Sequence, residues 1–434
     1  AHIAAGHALQ LAPAPDLPAA NAHYLQAMAL ADTFGVPRTK VEAYMGLALL
    51  HGFGGDLGAA EAAAREGLAI VERSGDAWTA AWLWTALGAV GAAAGAGAAP
   101  TWLAEAETRY RVSHDTYGQA VVQLWLAVWH GRAGRTDALA RHTRALLALV
   151  GRYGYDGLLT ATTLFGPRDR MMLVPLLLAG RADPATHAPA GALLARGFPA
   201  IAADEGTQTY HPGTTLRIRM LGRLQVWRGA VPVEPREWQR KKAQQMLGFL
   251  LTNRGRWLLR EQICDALWPD EDADNAEAQF KVTLNGLNSV LEPARPPRTA
   301  PFYIRREGTA YRFYPSTGVW LDVEIFETRI EAARMHRAAG SEAGLDAAQE
   351  ALSTALDLYQ GEYLSDWLYE EWTQEERARL ALRYLEAATT LANLLLDRDQ
   401  PGEAIRVCEL ILERDPAWED AYAILMRAYT RQEI

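Results

Sequence analysis

The sequence predicts a mainly α-helical chain: an array of stacked helical hairpins, then a small α+β module, then a second all-helical part. Three observations carry that prediction. Apolar residues recur at three- and four-residue steps over residues 1–203 and again over 320–434, the spacing of helices that bury one face. Between them Leu216, Ile218 and Met220 alternate with Arg217 and Arg219, the two-residue period of a strand. The charge changes with the period: residues 215–319 hold 17 Lys+Arg against 11 Asp+Glu, residues 320–434 hold 11 against 24, and residues 1–214 hold 15 against 17. A basic module inside a chain of net charge -9 is what polyanion binding needs, because neutralised phosphates release counterions. An excess of that size also arises from an ordinary solvated surface.

A length of 434 residues implies two to four domains, and the half-apolar composition implies globular ones. Only Cys264 and Cys408 are present, far apart, so no disulfide framework or cysteine zinc site is expected, and a reducing cytoplasm fits. No apolar run of about 18 residues occurs, so no membrane partner is expected. The first residue is Ala1, with no signal-like start, and the chain reads as a piece of something longer on its N-terminal side.

Over residues 1–203 the amphipathic segments 59–75, 102–118 and 138–154 recur, and the first two are followed by more apolar helices, TAAWLWTALGAV (79–90) and AVVQLWLAVWHG (120–131). Each such pair reads as a hairpin that must stack on its neighbours, leaving a concave side free to hold something. The repeats resemble degenerate tetratricopeptide repeats. Trp78, Trp82, Trp84, Trp125 and Trp129 fall at helical spacing, where core packing explains them better than a ligand pocket. His23, His51, His130 and His142 lack paired ligand spacing, and GFGGDLG (52–58) lacks the GxxxxGK[ST] form of a phosphate loop. No metal, cofactor or catalytic residue is therefore assigned, and the chain is not expected to be an enzyme. DEGTQTYHPGTT, polar and carrying Gly and Pro, predicts a linker over 204–215.

The module over 216–316 begins with short strands at 216–220, 224–227 and 231–233. A helix is expected from near Glu237, with Arg240, Lys241 and Lys242 outward, and a second over 258–268, stopped by Pro269. A third runs from Asp274 to Pro293. Phe280, Leu284, Leu287 and Leu291 make its buried face, and Asp274 or Asn275 can cap its start. Its other face is small, polar and nearly uncharged. YIRREGTAYRFY (303–314) predicts a hairpin around Glu307-Gly308 with Arg305, Arg306 and Arg312 at its tip.

This order resembles the OmpR-type winged helix-turn-helix, on the strand start LRIRMLG, the Trp268-Pro269 pair, the close LNGLNSVLEP and the wing IRREGTAYRF. The resemblance implies that the third helix enters the major groove of double-stranded promoter DNA and that the wing touches the adjacent backbone. Aligned on Leu291-Glu292-Pro293, the residues facing DNA are Gln279, Val282, Asn285, Gly286 and Asn288, with Ser289 on the same outer surface. Phosphate contacts are expected from Lys281, Arg305, Arg306 and Arg312, with Lys241 and Lys242 as further candidates. The family places arginines around 285, 286 and 288, where this chain has Asn, Gly and Asn, which implies weaker non-specific binding and a flatter salt dependence.

From Trp320 the motifs WLDVEIFE, LYQGEYLSDW, YEEW, EERARL and DPAWEDAYAILMRAY follow in order, and the segments 401–416 and 417–431 read as a tetratricopeptide pair. The set is similar to the bacterial transcriptional activator domain of antibiotic regulatory proteins of the AfsR and DnrI kind, preceded as in that family by a winged helix. The resemblance implies self-association or contact with RNA polymerase through the acidic 320–434 domain, whose 11 basic and 24 acidic residues give -13 and repel DNA. The N-terminal array resembles the superhelical sensor segment of maltose-activator-type regulators, which often carry a nucleotide-binding module upstream. The sequence thus reads as a transcriptional regulator. Its alternative is a helical-repeat scaffold whose winged helix docks protein rather than DNA.

Overall fold

The computed structural model describes residues 1–12, 15–204, 210–314 and 318–432. In the N-terminal array aspartates restart several of the helices. The side chains of Asp16, Asp56, Asp76 and Asp115 accept from the backbone N–H three residues on, and so begin α2 (Leu17–Thr33), α4 (Leu57–Ser74), α5 (Ala77–Ala94) and α7 (Thr116–Arg132). Between and around them lie α1 (His2–Leu11), α3 (Thr39–Phe53), α6 (Ala99–Val112) and α8 (Thr136–Tyr153). Four shorter helices close the array: α9 (Gly157–Thr160), α10 (Val174–Ala182), α11 (His187–Gly197) and α12 (Pro199–Ala203).

The hairpins pair one helix earlier than the sequence periodicity implies. α3 packs on α4, α5 on α6 and α7 on α8, while α3, α5 and α7 also touch one another and form an inner layer. The composition explains this arrangement. Twelve of the eighteen residues of α5 are buried, Ala, Gly, Leu and Thr among them, so this helix needs neighbours on several sides. α4 buries only Ala60, Ala64, Gly67, Leu68 and Val71 and serves as an outer layer. Close approach between α6 and the inner α7 depends on size complementarity: a Cβ at Gly118 would lie 2.5 Å from the ring of Tyr110.

The central segment carries two sheets. Strands β1 (Leu216–Arg219), β2 (Gln225–Arg228), β3 (Val231–Pro232) and β7 (Val319–Leu321) form one, in the order β3-β2-β1-β7, with β1 and β7 parallel. Strands β4 (Leu258–Leu259), β5 (Ile304–Glu307) and β6 (Ala310–Phe313) form the other, in the order β4-β6-β5. Its helices are α13 (Lys241–Thr252), α14 (Arg260–Leu267) and α15 (Ala273–Leu291). α13 starts later than expected, because Pro235–Trp238 form a separate 3-10 turn and Gln239 has φ 49, which breaks the helix. Leu258 and Leu259 belong to β4, opposite Tyr311 and Ala310, and not to the second helix.

The C-terminal part is all α: α16 (Asp322–Ala338), α17 (Glu342–Leu358), α18 (Glu371–Asp397), α19 (Pro401–Arg414) and α20 (Glu419–Gln432). One apolar core runs from Leu216 in β1 to Ala428 in α20, so the sheet segment and these helices fold against each other. Asp322 fixes the joint: its Oδ2 accepts from the N–H of Met220 at 2.7 Å and of Leu221 at 2.8 Å. Arg254 at the end of α13 adds an ion pair to Glu376 at 3.3 Å. Among the described residues no helix is long and apolar enough to cross a membrane.

Candidate nucleic-acid interface

α15 is placed by its apolar side. Ala276, Phe280, Leu287, Val290 and Leu291 are buried, and Leu284 packs half-buried beside them. Its cap is Asp272, whose carboxylate accepts from Asn275 N at 2.9 Å, while Asp274 lies inside the first turn. The opposite side is open. Gln279, Lys281, Val282, Asn285 and Ser289 are exposed, and nothing lies within 4 Å of where a Cβ on Gly286 would stand. Asn288 departs from the expectation: it is 4% exposed, on the side that turns toward the core.

The cations divide into free and engaged. Lys241 is exposed at the first residue of α13. Lys242 instead folds back to donate to the Leu267 carbonyl, with its ammonium 5.7 Å from the Trp268 ring, so it locks α13 to the end of α14. Lys281 projects to solvent but pairs with Glu277 at 2.7 Å, and Glu277 also pairs with Arg260 at 2.7 Å. The Lys281 hydrogen bond, against a smaller opposing effect of desolvation, holds the Glu277 carboxyl below its usual range. Arg240, not singled out as a contact from the sequence, stands at the edge of the open face and donates to Gln279 Oε1 at 3.4 Å. Together with Val282, Thr283, Asn285, Gly286 and Ser289 it lines a recess of about 260 Å³. The signal for it was the run Arg240-Lys241-Lys242.

The wing is the β5–β6 hairpin, and its tip is Gly308-Thr309 instead of the three arginines. Arg305 lies opposite Arg312 and Arg306 opposite Tyr311, so strand alternation sends the first pair to one face and Arg306 to the other. Arg306 is exposed and curls to donate to the Gly308 carbonyl at 2.7 Å. Arg312 stacks on Trp257 at 4.4 Å. Arg305 is engaged: its Nη2 reaches Asp204 Oδ2 at 2.7 Å, its guanidinium lies 3.4 Å from the Tyr314 ring centroid, and its side chain is 19% exposed. Asp204 follows directly on α12 of the array, so the array itself holds a wing arginine.

Glu292 sets the distance between helix and wing. It is 3% exposed, and its Oε1 accepts from the N–H of Phe302 at 2.8 Å and of Tyr303 at 3.0 Å, just before β5. Burial pushes its carboxyl up, against the pull of those two amides. Sequence comparison used Leu291-Glu292-Pro293 only as an alignment mark; the buried carboxylate is what ties the end of α15 to the root of the hairpin.

A model of the bacterial transcriptional activator domain matches residues 321–433, which hold α16 to α20. Regulatory protein AfsR of Streptomyces coelicolor is 27% identical over 235 residues, 54% of this chain, and the chain spans 21% of the length of AfsR. The structure of Mycobacterium tuberculosis EmbR in complex with a low affinity phosphopeptide matches with a TM-score of 0.44 at 23% identity, over 51% of this chain and 56% of that one. Residues 321–433, which fold as α16 to α20, thus match a bacterial transcriptional activator domain, and the chain is similar over 54% of its length to Regulatory protein AfsR.

Proposed function

We propose that the chain is a cytoplasmic, non-enzymatic transcriptional regulator whose central segment binds promoter DNA, with α15 in the major groove and the β5–β6 wing on the flanking backbone. The observation that carries this reading is the open outer side of α15, bordered by Arg240, Lys241 and Lys281 and fixed to an arginine-bearing hairpin by Glu292. Asn285 and Gln279 present amide groups suited to adenine edges, while the cations supply phosphate contacts. The acidic domain over 320–434 repels DNA and is assigned to a protein partner, RNA polymerase or a second protomer. The array over 1–203 is assigned to signal reception.

Mobility shifts on duplex fragments at several KCl concentrations test this. Replacing Arg240, Lys281 and Arg306 together by Ala removes up to three phosphate contacts, so the slope of log affinity against log salt is expected to fall by about 2 to 3. Unchanged affinity and slope would remove the proposed contacts. Val282, 48% exposed in the middle of the open face, favours a second reading in which α15 docks a protein. Retention on immobilised DNA at moderate salt, lost on Val282→Asp, Asn285→Asp double substitution, separates the two.

A further inference from the structure

The chain between β3 and α13 is bent sharply against α15. Gln239 has φ +49, a backbone conformation that a residue with a Cβ rarely adopts. The turn before it is held on two sides. Trp238 is 5% exposed in the core, and Arg228 of β2 reaches Glu237 Oε2 at 2.5 Å and the Val290 carbonyl of α15 at 2.7 Å. The bend is thereby tied to α15 from within the protein, and it sets the position of Arg240. Arg240 Nη1 donates to Gln279 Oε1 at 3.4 Å, with both residues on the open side of α15.

That contact decides which way the Gln279 amide faces. A guanidinium carries donors only, so it turns the amide oxygen toward itself and the NH2 group outward. A glutamine free to rotate pairs with both groups of an adenine edge, donating to N7 and accepting from N6. With its oxygen drawn to Arg240, Gln279 cannot accept from N6 without giving up the arginine, and it is set to meet a base that presents an acceptor. Along the same stripe of the helix stand Val282, 48% exposed, and Gly286, with nothing within 4 Å of where its Cβ would lie. With Trp238 and Ala243 they wall the recess of about 260 Å³. An outward donor beside a mainly apolar recess matches one major-groove edge, that of thymine, whose O4 acceptor neighbours its C5-methyl group. Guanine offers acceptors without the methyl, and cytosine sets a donor against a donor.

We propose that Gln279, Val282 and the recess beside Gly286 form a thymine-reading subsite on α15, with Arg240 as the positioning residue that fixes the Gln279 amide for it. The subsite rests on the promoter-binding reading above and narrows it. Adenine recognition is left to Asn285, and Arg240 acts on sequence preference as well as on phosphate attraction.

The test uses the full chain and a pool of duplexes with a randomised segment, from which bound sequences are selected. The position whose preference is lost in Gln279→Ala is the one that Gln279 reads, and thymine is expected there. In the selected duplex that thymine is then replaced by uracil, which lacks only the methyl, and by 5-methylcytosine paired with guanine, which keeps the methyl and turns the acceptor into a donor. Affinity by fluorescence anisotropy is expected to fall about fourfold with uracil, as for one buried methyl, and at least about tenfold with 5-methylcytosine. Val282→Ala is expected to narrow the first difference and leave the second. Arg240→Ala is expected to cut the preference for thymine over adenine at that position at least about threefold, whereas loss of a phosphate contact alone weakens all duplexes alike. Arg240→Lys, which keeps a donor, restores most of the preference. A base other than thymine at the Gln279-dependent position, no such position, or equal affinity for thymine and uracil overturns the subsite. An unchanged thymine preference in Arg240→Ala overturns the role of Arg240. A pool from which no sequence is enriched defeats the promoter reading itself, whereas an enriched sequence with the wrong base defeats the subsite alone.

Discussion

Asp204→Asn is the most informative single change at the wing. In the native chain Asp204 meets Arg305 through two contacts, Oδ2 to Nη2 at 2.7 Å and Oδ1 to Nη1 at 3.3 Å, and the two side chains are only 17% and 19% exposed. A two-point, half-dry carboxylate–guanidinium pair of this kind is stronger than a surface pair. An arginine so held cannot give its full charge to a phosphate. Asparagine keeps the volume and one acceptor but removes the negative charge, so the hold of residue 204 on Arg305, which stays stacked on Tyr314, weakens. The expected gain in duplex affinity is on the order of 1–2 kcal/mol, five- to thirtyfold at low salt. One added phosphate contact also steepens the dependence of log affinity on log salt by about 0.9. Between 50 and 150 mM salt that slope is an extra loss of about 2.7-fold. Fluorescence anisotropy with a labelled duplex, titrated at four KCl concentrations, measures both quantities. A slope for Asp204→Asn equal to that of wild type would refute the reasoning. So would a gain that persists in Asp204→Asn, Arg305→Ala, because it could not then come from the released arginine.

Two further changes probe how the site is held. Glu292→Ala strands the buried N–H groups of Phe302 and Tyr303 and is expected to cost about 2–4 kcal/mol in denaturant unfolding, whereas Glu292→Gln, which retains an acceptor, costs less; equal costs would show that those amides find other partners. Burial raises the Asp322 carboxyl from 3.8 to about 6, so the native chain holds an extra proton between those values. Its contribution is full below the unfolded value and is lost as pH rises through the folded one, about 3 kcal/mol over that window. The stability of wild type relative to Asp322→Asn is therefore expected to fall between pH 4 and 6 in thermal unfolding, and a flat difference would contradict the buried acid.

Much of the architecture was legible in the residue pattern. The alternation at Leu216, Ile218 and Met220 gave β1, and the apolar positions Phe280, Leu287 and Leu291 gave the buried side of α15, because periodicity is a local property and burial of one face is its direct consequence. The outer side of that helix followed by subtraction, and its open residues are mostly those expected. Partner choice was not legible. α3 and α5 are apolar enough to pack on either neighbour, so nothing local said that α5 packs more closely on α6 than on α4.

Charge was the least readable quantity, because a sequence counts cations without saying what faces them. Lys242 is turned to a carbonyl of α14 and Arg305 to an aspartate one hundred and one residues earlier. Asn288 is covered by the core, and the indole of Trp125 in α7 is turned to the carbonyl of Phe165. The sequence by itself determined which stretches are helix or strand and which of their sides is apolar, since those depend on neighbours within a few residues. Which polar groups remain available to a partner was decided only by tertiary contacts between distant stretches, where a single carboxylate such as Asp204 or Asp322 can redirect a charge or anchor a strand that local pattern leaves free.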